Sequence, residues 1–321
     1  MSDPFSFIQK LDRPARVACV GECMVELSGV DIVSGTGSVG VAGDTLNTAI
    51  YLRRLLGQDA AEIDYLTALG TDAYSDAIMR FITDEGLGTD GIVRFDDRLP
   101  GVYAIHVNEE GERSFLYWRN QSAARSMFDA DGLTQARLLE YDVVYLSGIT
   151  LAILSRPARH LLVRAASSLT AAGKLVAFDS NFRPKLWESG DDARASMDGM
   201  WSATSVGLPS SDDEEAMWQM GDPNRLMQRL VRRGVREIAM KDGARGPRLW
   251  NGAPLNRSAY GSVEAVDTTA AGDAFNAGYL AARIAGRSET QAGQIAHSLA
   301  SSVVMHPGAI IPQAAMPAGL L

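Results

Sequence analysis

One turn near the C-terminus combines residue types suited to binding phosphate and moving a proton. It runs Asp267-Thr268-Thr269-Ala270-Ala271-Gly272-Asp273 and opens an apolar helical stretch. Its small side chains let an anion approach the backbone, and the free N–H groups of a helix start favour negative charge. We therefore predict an anion hole at Ala270, Ala271 and Gly272, with Asp273 beside it as a general base. The alternative is a small-residue turn capped by Asp273, which leaves Asp267 and its two threonines unexplained.

A second polar turn lies in the N-terminal half, at Ala42-Gly43-Asp44-Thr45-Leu46-Asn47. Gly43 would let the chain approach a ligand closely, while Asp44 and Asn47 offer hydrogen-bonding groups to hydroxyls. The alternative interpretation is an ordinary helix with Asp44 as its N-cap. The two turns together predict a site that holds a hydroxyl compound on one side and an anion on the other.

The elements that position these turns alternate between short apolar strands and amphipathic helices. This rhythm predicts a three-layer α/β fold with a mostly parallel central sheet, in a single domain spanning residues 1–321. Predicted helices begin near Asp44, Asp72, Ser155, Asp212, Pro223, Ala271 and Ser288, and predicted strands include Val17–Gly21, residues 142–148, residues 174–183 and Val263–Val266.

One stretch interrupts the rhythm. The segments VYAIHV and RSFLYW alternate and are aromatic, with NEEGE at 108–112 as the turn between them. Such a hairpin, without helical cover, predicts a small β lid contributed by about 24–40 and 91–120. An uncovered apolar sheet face commonly pairs with its copy, so we also predict a homodimer through the lid.

Composition limits the possible function classes. The 321 residues carry a net charge of -9, which argues against nucleic-acid binding. The N-terminus lacks the features of a secretory signal, and no apolar run approaches a membrane span, so we expect a cytoplasmic protein without a membrane partner. Cys19 and Cys23 are four residues apart on a predicted strand, roughly 13 Å, which is too far for a disulfide. The four histidines form no spaced cluster and are interpreted as structural or surface residues.

The first turn resembles the D-T-x-G-A-G-D signature of the PfkB (ribokinase-like) family of carbohydrate kinases. Here it reads DTTAAGD, with Ala270 in place of a glycine, and alanine adopts a positive φ less freely. The turn around Gly43 resembles the family's first signature, and the resemblance extends from Val17 to about Pro312. It implies a ribokinase-like fold, ATP with Mg²⁺, Asp273 as the base, and amides of the anion hole on the γ-phosphate.

Within that family, the segments GECMVEL, GDTLNTA, GERSFLYWRNQSAAR and DSNFRPKLW are most similar to the subgroup that phosphorylates 2-keto-3-deoxygluconate to its 6-phosphate. An arginine binds a carboxylate through a bidentate fork, so Arg119 and Arg183 favour an acidic keto sugar. Tyr103 and Tyr117 could stack on that sugar. The predicted substrate-binding residues are Gly43, Asp44, Asn47, Tyr103, Tyr117, Arg119, Arg183 and Asp273.

The predicted nucleotide side is less distinct, because the chain has no P-loop. The loop from Lys241 through Gly243 to Gly246 resembles the one that borders ATP in the family. Asn181 and Arg183 could contact either phosphates or sugar. The family's N-x-x-E is replaced here by LPSSDDEE, where Ser210 or Ser211 and Asp213, Glu214 or Glu215 could take its place, so the metal ligands stay open. The predicted cofactor-binding residues are Asn181, Arg183, Lys241, Gly243, Gly246 and Gly272.

Three alternatives remain at this point. The first is another sugar kinase of the same family, such as a fructokinase. The second is a sugar-binding homologue without activity, which the retained Asp273 disfavours because such a protein needs no base. The third is a Rossmann-type oxidoreductase, which the first strand disfavours because GECMVE follows it instead of G-x-G-x-x-G.

Overall fold

A computed structural model describes residues 3–107, 113–254, 260–261 and 263–321. Its strands are β1 Ala15–Val20, β2 Met24–Asp31, β3 Thr36–Ala42, β4 Ala61–Leu66, β5 Ala68–Gly70, β6 Val93–Phe95, β7 Gly101–Val107, β8 Arg113–Trp118, β9 Val143–Ser147, β10 Leu175–Asp179, β11 Val206–Gly207, β12 Glu237–Met240 and β13 Arg248–Asn251. Its α-helices are α1 Asp44–Leu55, α2 Ala73–Asp84, α3 Gln135–Leu138, α4 Gly148–Ile153, α5 Arg156–Ala171, α6 Gly190–Ser202, α7 Ser211–Trp218, α8 Pro223–Arg232, α9 Ala271–Ile284 and α10 Glu289–Val304.

The central sheet has seven strands in the order β13-β12-β11-β10-β9-β1-β4. Every neighbouring pair is parallel except β12 with β13. Parallel strands are buried on both faces, and β1 shows this directly, because Val17 and Cys19 belong to one core cluster and Ala18 and Val20 to the other. Helices α1, α2, α9 and α10 cover the first face, and α4 to α8 cover the second. The predicted three-layer α/β fold is confirmed.

A separate four-stranded sheet forms the lid, in the order β3-β2-β7-β8. The predicted hairpin strands pair antiparallel, with Tyr103 opposite Tyr117. Residues 93–95 do not join the lid as the sequence suggested, because β6 pairs with β5 in a small sheet of its own. The predicted turn at 108–112 lies outside the described residues.

The predicted strand at Val263–Val266 is wrong, because these residues form no strand in the described chain. The edge of the central sheet is instead β13, which folds back on β12. Val263 and Val266 are 42% and 66% exposed, so their β-branched side chains have no sheet to pack on. None of the described helices has the length and apolar character needed to cross a membrane.

Candidate active site

A cleft of about 1130 Å³ lies between the lid and the carboxyl ends of the central strands. In a parallel sheet this edge is where loops and helix starts converge, and ligands commonly bind there. The structure brings all of the predicted site residues to this one cleft. They are Gly43, Asp44, Asn47, Tyr103, Tyr117, Arg119, Asn181, Arg183, Lys241, Gly243, Gly246, Ala270, Ala271, Gly272 and Asp273.

Asp273 lies in the first turn of α9 and is 9% exposed. Asn47 Nδ2 donates a hydrogen bond to Asp273 Oδ2 at 2.9 Å. Burial raises the pKa of Asp273 to about 8, and the charge of Asp44 adds to this, while Asn47 and Lys241 oppose it. A carboxylate with a pKa near neutrality, open to a cleft, has the proton affinity that general-base catalysis requires.

The turn before α9 has the left-handed conformation that its sequence made questionable. Ala270 is the N-cap of α9, with φ 60° and ψ 11°. An L-residue in this region is held there against a steric cost of roughly 1–2 kcal/mol. The N–H of Ala271 points back to Thr268 O at 3.3 Å, whereas the amides of Gly272 and Asp273 have no backbone acceptor among the described residues. The amides available to an anion at this helix start are therefore those of Gly272 and Asp273, rather than that of Ala270.

A partly buried cation, Lys241, lies beside this helix start. Lys241 Nζ lies 2.8 Å from Asp179 Oδ2 and donates to Asn276 Oδ1 at 3.0 Å. A side-chain carbon placed on Gly272 would be 3.8 Å from Lys241 Nζ, so the ammonium group adjoins the anion hole. Sequence reasoning missed Asp179 and Asn276. The signals were an acid at the end of a buried strand and an amide three residues after Asp273 on the same helix.

The start of α1 forms the opposite wall. A side chain on Gly43 would meet Glu22 O at 2.2 Å, so only glycine lets α1 begin this close to the chain after β1. Asp44 Oδ2 accepts hydrogen bonds from Ser147 Oγ and from Asn181 Nδ2, the latter at 2.7 Å. Burial raises the pKa of Asp44. The Asn181 amide is thus held by the wall that the start of α1 forms.

The lid contributes aromatic rings. Tyr103 and Tyr117 stack with centroids 5.8 Å apart, and the Tyr103 hydroxyl donates to Glu26. Arg119 lies 5.7 Å from the Tyr117 ring and is only 5% exposed. Its guanidinium is paired with Glu22, a contact between residues far apart in the sequence that was not foreseen.

The open guanidinium of the cleft belongs to Arg183, whose side chain is 55% exposed. Its nearest acid is Asp213, with Nη1 3.6 Å from Oδ1. Because Arg119 is already neutralised by Glu22, a ligand carboxylate meets less competition at Arg183.

The acidic helix α7 separates the alternatives that the sequence left open. Ser210, Asp212 and Asp213 line the cleft. Glu214 points the other way and is 1% exposed, with Arg229 Nη1 3.6 Å from its Oε2. Glu215 accepts hydrogen bonds from the amides of Met220 and Gly221. Of the three acids that the sequence left open, Asp213 is therefore the one that lines the cleft, and its pKa is raised by burial and by the charge of Asp179.

The loop after β12 closes the far end of the cleft. Gly243 and Gly246 have φ values of 55° and 75°, a region that glycine adopts without strain. A side chain on Gly246 would also collide with the Tyr260 ring at 2.1 Å. His297 borders the same end, with Nε2 3.0 Å from Gly261 O. The positive φ values, and at Gly246 the Tyr260 ring, thus account for the two glycines of this loop.

Among the described residues, no group of three or more His, Cys, Asp or Glu side chains could enclose a metal. Magnesium in phosphate-binding sites needs only one or two carboxylates, because the phosphates and water supply the other ligands. Asp213 and Asp179 both line the cleft, and the charge of Asp179 makes ionisation of Asp213 less favourable, which a divalent cation would relieve. The residues present therefore fit a metal that arrives with a nucleotide.

Comparisons with known proteins agree with this geometry. The profile described as "pfkB family carbohydrate kinase" matches residues 14–316. The 2-dehydro-3-deoxygluconokinase of Dickeya dadantii is 41% identical over 314 residues, covering 94% of this chain and 98% of that protein. The enzyme of the same name from Escherichia coli K12 is 38% identical, covering 94% and 99%.

Solved structures show the same fold. A fructokinase with bound ATP from Xylella fastidiosa matches with a TM-score of 0.79 and 22% identity, covering 94% of this chain and 95% of that one. A 2-dehydro-3-deoxygluconokinase from Thermotoga maritima matches with a TM-score of 0.78 and 20% identity, covering 93% and 95%. At these identities the likeness concerns the fold alone.

Proposed function

Since this chain belongs to the pfkB family of carbohydrate kinases, we propose that it transfers the γ-phosphate of ATP to the 6-hydroxyl of 2-keto-3-deoxygluconate, also called 2-dehydro-3-deoxygluconate. The observation that carries this proposal is Asp273, a buried carboxylate placed between the helix start of α9 and the lid. The Dickeya dadantii and Escherichia coli relatives with that activity in their names are 41% and 38% identical over nearly the whole chain, whereas the plant relatives named fructokinase are 24–28% identical.

The proposed reaction follows from these positions. Asp273 accepts the proton of the sugar hydroxyl while the oxygen lone pair forms the new bond to the γ-phosphorus. The bond from phosphorus to the bridging oxygen breaks, and its electron pair leaves with ADP. The amides of Gly272 and Asp273, together with Lys241, stabilise the charge on the transferring group. Magnesium bound with the nucleotide would neutralise its β- and γ-phosphates, and Asp213 with Asp179 would hold it.

The lid and the start of α1 form the proposed sugar-binding end of the cleft. Tyr103 and Tyr117 offer a stacked surface for the sugar, and Asp44 and Asn47 face its hydroxyls. We propose that Arg183 binds the carboxylate of the sugar. Arg119 lies against the Tyr117 ring and would help to hold that ring in place. The nucleotide would lie towards Gly243 and Gly246, so that its phosphates point to α9. Closure of the lid excludes water, which would otherwise compete as acceptor.

A substrate panel tests the proposed function. The chain should phosphorylate 2-keto-3-deoxygluconate with a kcat/KM at least tenfold above that for fructose, ribose and gluconate, in a coupled ADP-release assay. Asp273→Asn should lower kcat by several orders of magnitude while ATP still binds, because the base is lost. Near-normal turnover of Asp273→Asn would refute the role of the base. Tight sugar binding without turnover in the unmodified protein would instead indicate a non-catalytic homologue.

We also propose that the enzyme is a cytoplasmic homodimer joined through the lid. The outer lid face carries Val39, Leu116 and Trp118, which are 71%, 54% and 60% exposed. An apolar sheet face of this kind commonly pairs with its copy. Trp118→Arg should convert a dimer to a monomer in light scattering after size exclusion. A monomeric unmodified protein would contradict the proposal.

A further inference from the structure

Asn47 contacts the base directly. Its Nδ2 donates to Asp273 Oδ2 at 2.9 Å, across 226 residues of sequence. Hydrogen bonds to a charged acceptor are stronger and more directional than neutral ones. With Oδ2 engaged, the other oxygen of Asp273 is the one left to accept a proton.

The other end of the same amide has no partner. Asn47 Oδ1 accepts no hydrogen bond from the described residues, although Asn47 lines the cleft and is only 5% exposed. A buried acceptor without a donor is unfavourable, and such groups in folded proteins are nearly always satisfied. Since Asn47 lines the cleft and its Oδ1 has no donor among the described residues, a ligand hydroxyl bound at this wall is a group that can satisfy it.

The next residue of α1 holds the main chain of the base. Thr48 Oγ1 lies 3.2 Å from Asp273 O, 3.2 Å from Tyr145 Oη and 3.1 Å from Asp44 O, so its single proton is within reach of the Asp273 carbonyl. Helix α1 thus contacts Asp273 at its backbone and at its side chain through two consecutive residues. The base is fixed by α1, even though it belongs to α9.

We propose that Asn47 is a positioning residue that couples sugar binding to the base, an inference that rests on the proposed function. Its Nδ2 holds Asp273 Oδ2, so that Oδ1 receives the proton of the reacting hydroxyl. Its own Oδ1 accepts a hydrogen bond from a second hydroxyl of the same sugar. One amide therefore sets the angle of the base and the placement of the acceptor, and a sugar lacking that second hydroxyl is a poorer substrate.

Several titratable groups lie near Asp273 besides this amide, and Asp44, Asp179 and Lys241 affect its ionisation. Burial is the largest influence on the pKa of Asp273, and the Asn47 amide lowers it. Removing the amide should therefore raise this pKa further, and activity, which needs the ionised base, should be lost at a higher pH. The facing groups are Asp44 and Tyr51 on α1, Tyr103 on the lid, Tyr145 on β9, Asp179 at the end of β10 and Lys241 after β12.

The test compares Asn47→Leu with Asn47→Asp in the full-length enzyme. Asn47→Leu should lower kcat by about 10- to 100-fold, which is the range for a hydrogen bond to a charged group. It should also move the acid limb of the kcat profile upward, on the order of one pH unit. Asn47→Asp keeps the shape of the side chain and its acceptor oxygen, but it replaces the N–H donor by a negative charge beside Asp273. The acid limb of its kcat profile should therefore move to a still higher pH.

Gln135→Leu is the matched control, because Gln135 Nε2 donates to Ser168 Oγ at 3.1 Å outside the cleft. It should keep the profile of the unmodified enzyme. An Asn47→Leu enzyme with a raised sugar KM but unchanged kcat and acid limb would overturn the proposal and leave Asn47 as a sugar ligand only. If Asn47→Leu fails to fold, Asn47→Asp decides by the same criterion. Full activity of Asp273→Asn would refute the proposed function itself, and that result is distinct from any outcome of the Asn47 variants.

Discussion

Replacing Lys241 by methionine removes the cation beside the helix start of α9 while keeping the length of the side chain. Lys241 Nζ contacts Asp179 Oδ2 at 2.8 Å and Asn276 Oδ1 at 3.0 Å, and its side chain is 13% exposed. Two effects should follow, one on catalysis and one on stability. They have different physical origins and can be separated by a second substitution.

The catalytic effect comes from the charge that develops on the transferring phosphoryl group. Removing one preorganised group that stabilises such charge costs about 100- to 1000-fold in kcat. The stability effect comes from Asp179, whose side chain is 4% exposed and would lose its cation. Leaving one member of a buried pair uncompensated costs about 3–5 kcal/mol. We therefore expect Lys241→Met to be both slow and less stable.

Adding Asp179→Asn to Lys241→Met removes the orphaned charge. The double variant should recover most of the free energy of unfolding in urea titration, while kcat in the ADP-release assay stays low. Lys241 lowers the pKa of Asp273 and the charge of Asp179 raises it, so the acid limb of activity should move to higher pH in Lys241→Met and move back to lower pH in the double variant. A Lys241→Met enzyme with kcat within threefold of the unmodified one would refute the role of Lys241 at the phosphate.

Three further predictions concern other parts of the molecule. Arg183→Ala should lower kcat/KM for the acidic sugar about 10- to 100-fold, with little effect on kcat/KM for a neutral ketose. Arg119→Ala should impair the reaction of both sugars, because it leaves Glu22 buried without its cation. Equal effects of Arg183→Ala on the two sugars would contradict its role in binding the carboxylate. Ala270→Gly should raise the free energy of unfolding by up to about 1 kcal/mol in urea titration, since φ is 60° there and glycine relieves the strain; a lower value would contradict this. Burial raises the pKa of Glu214 from 4.5 to about 8, so the free energy of unfolding should fall as pH rises from about 4.5 towards 8. Glu214→Gln should therefore gain stability relative to the unmodified protein across that window in melting experiments. A difference between the two proteins that does not change with pH would contradict this prediction.

The sequence predicted those parts of the fold that depend on local pattern. The polar turns at Gly43 and at Ala270 to Asp273 follow short apolar strands or precede amphipathic helices, so their place at one sheet edge followed from the rhythm alone. The prediction of a strand at Val263–Val266 used the same kind of local pattern, and it was wrong. Its β-branched residues resemble a strand, but β13 already occupies the neighbouring sheet edge.

Contacts between distant residues could not be predicted. Glu22 pairs with Arg119, and Lys241 with Asp179, only because the lid and the central strands bring them together in space. Each pair changes the chemistry, since it neutralises one arginine and fixes the cation beside the anion hole. The distinction between Asp213 and Glu214 likewise depends on how α7 is rotated against the core, because adjacent helical residues point in different directions.

The central claim is that Asp273 drives phosphorylation of the terminal hydroxyl of an acidic keto sugar. The most direct measurement is NMR of the product formed from 2-keto-3-deoxygluconate and ATP, with phosphorus coupling used to locate the ester. We expect a single phosphate ester on carbon 6, formed by the unmodified enzyme and at least a thousandfold more slowly by Asp273→Asn. An ester on another carbon, no ester, or equal rates in the two proteins would contradict the claim.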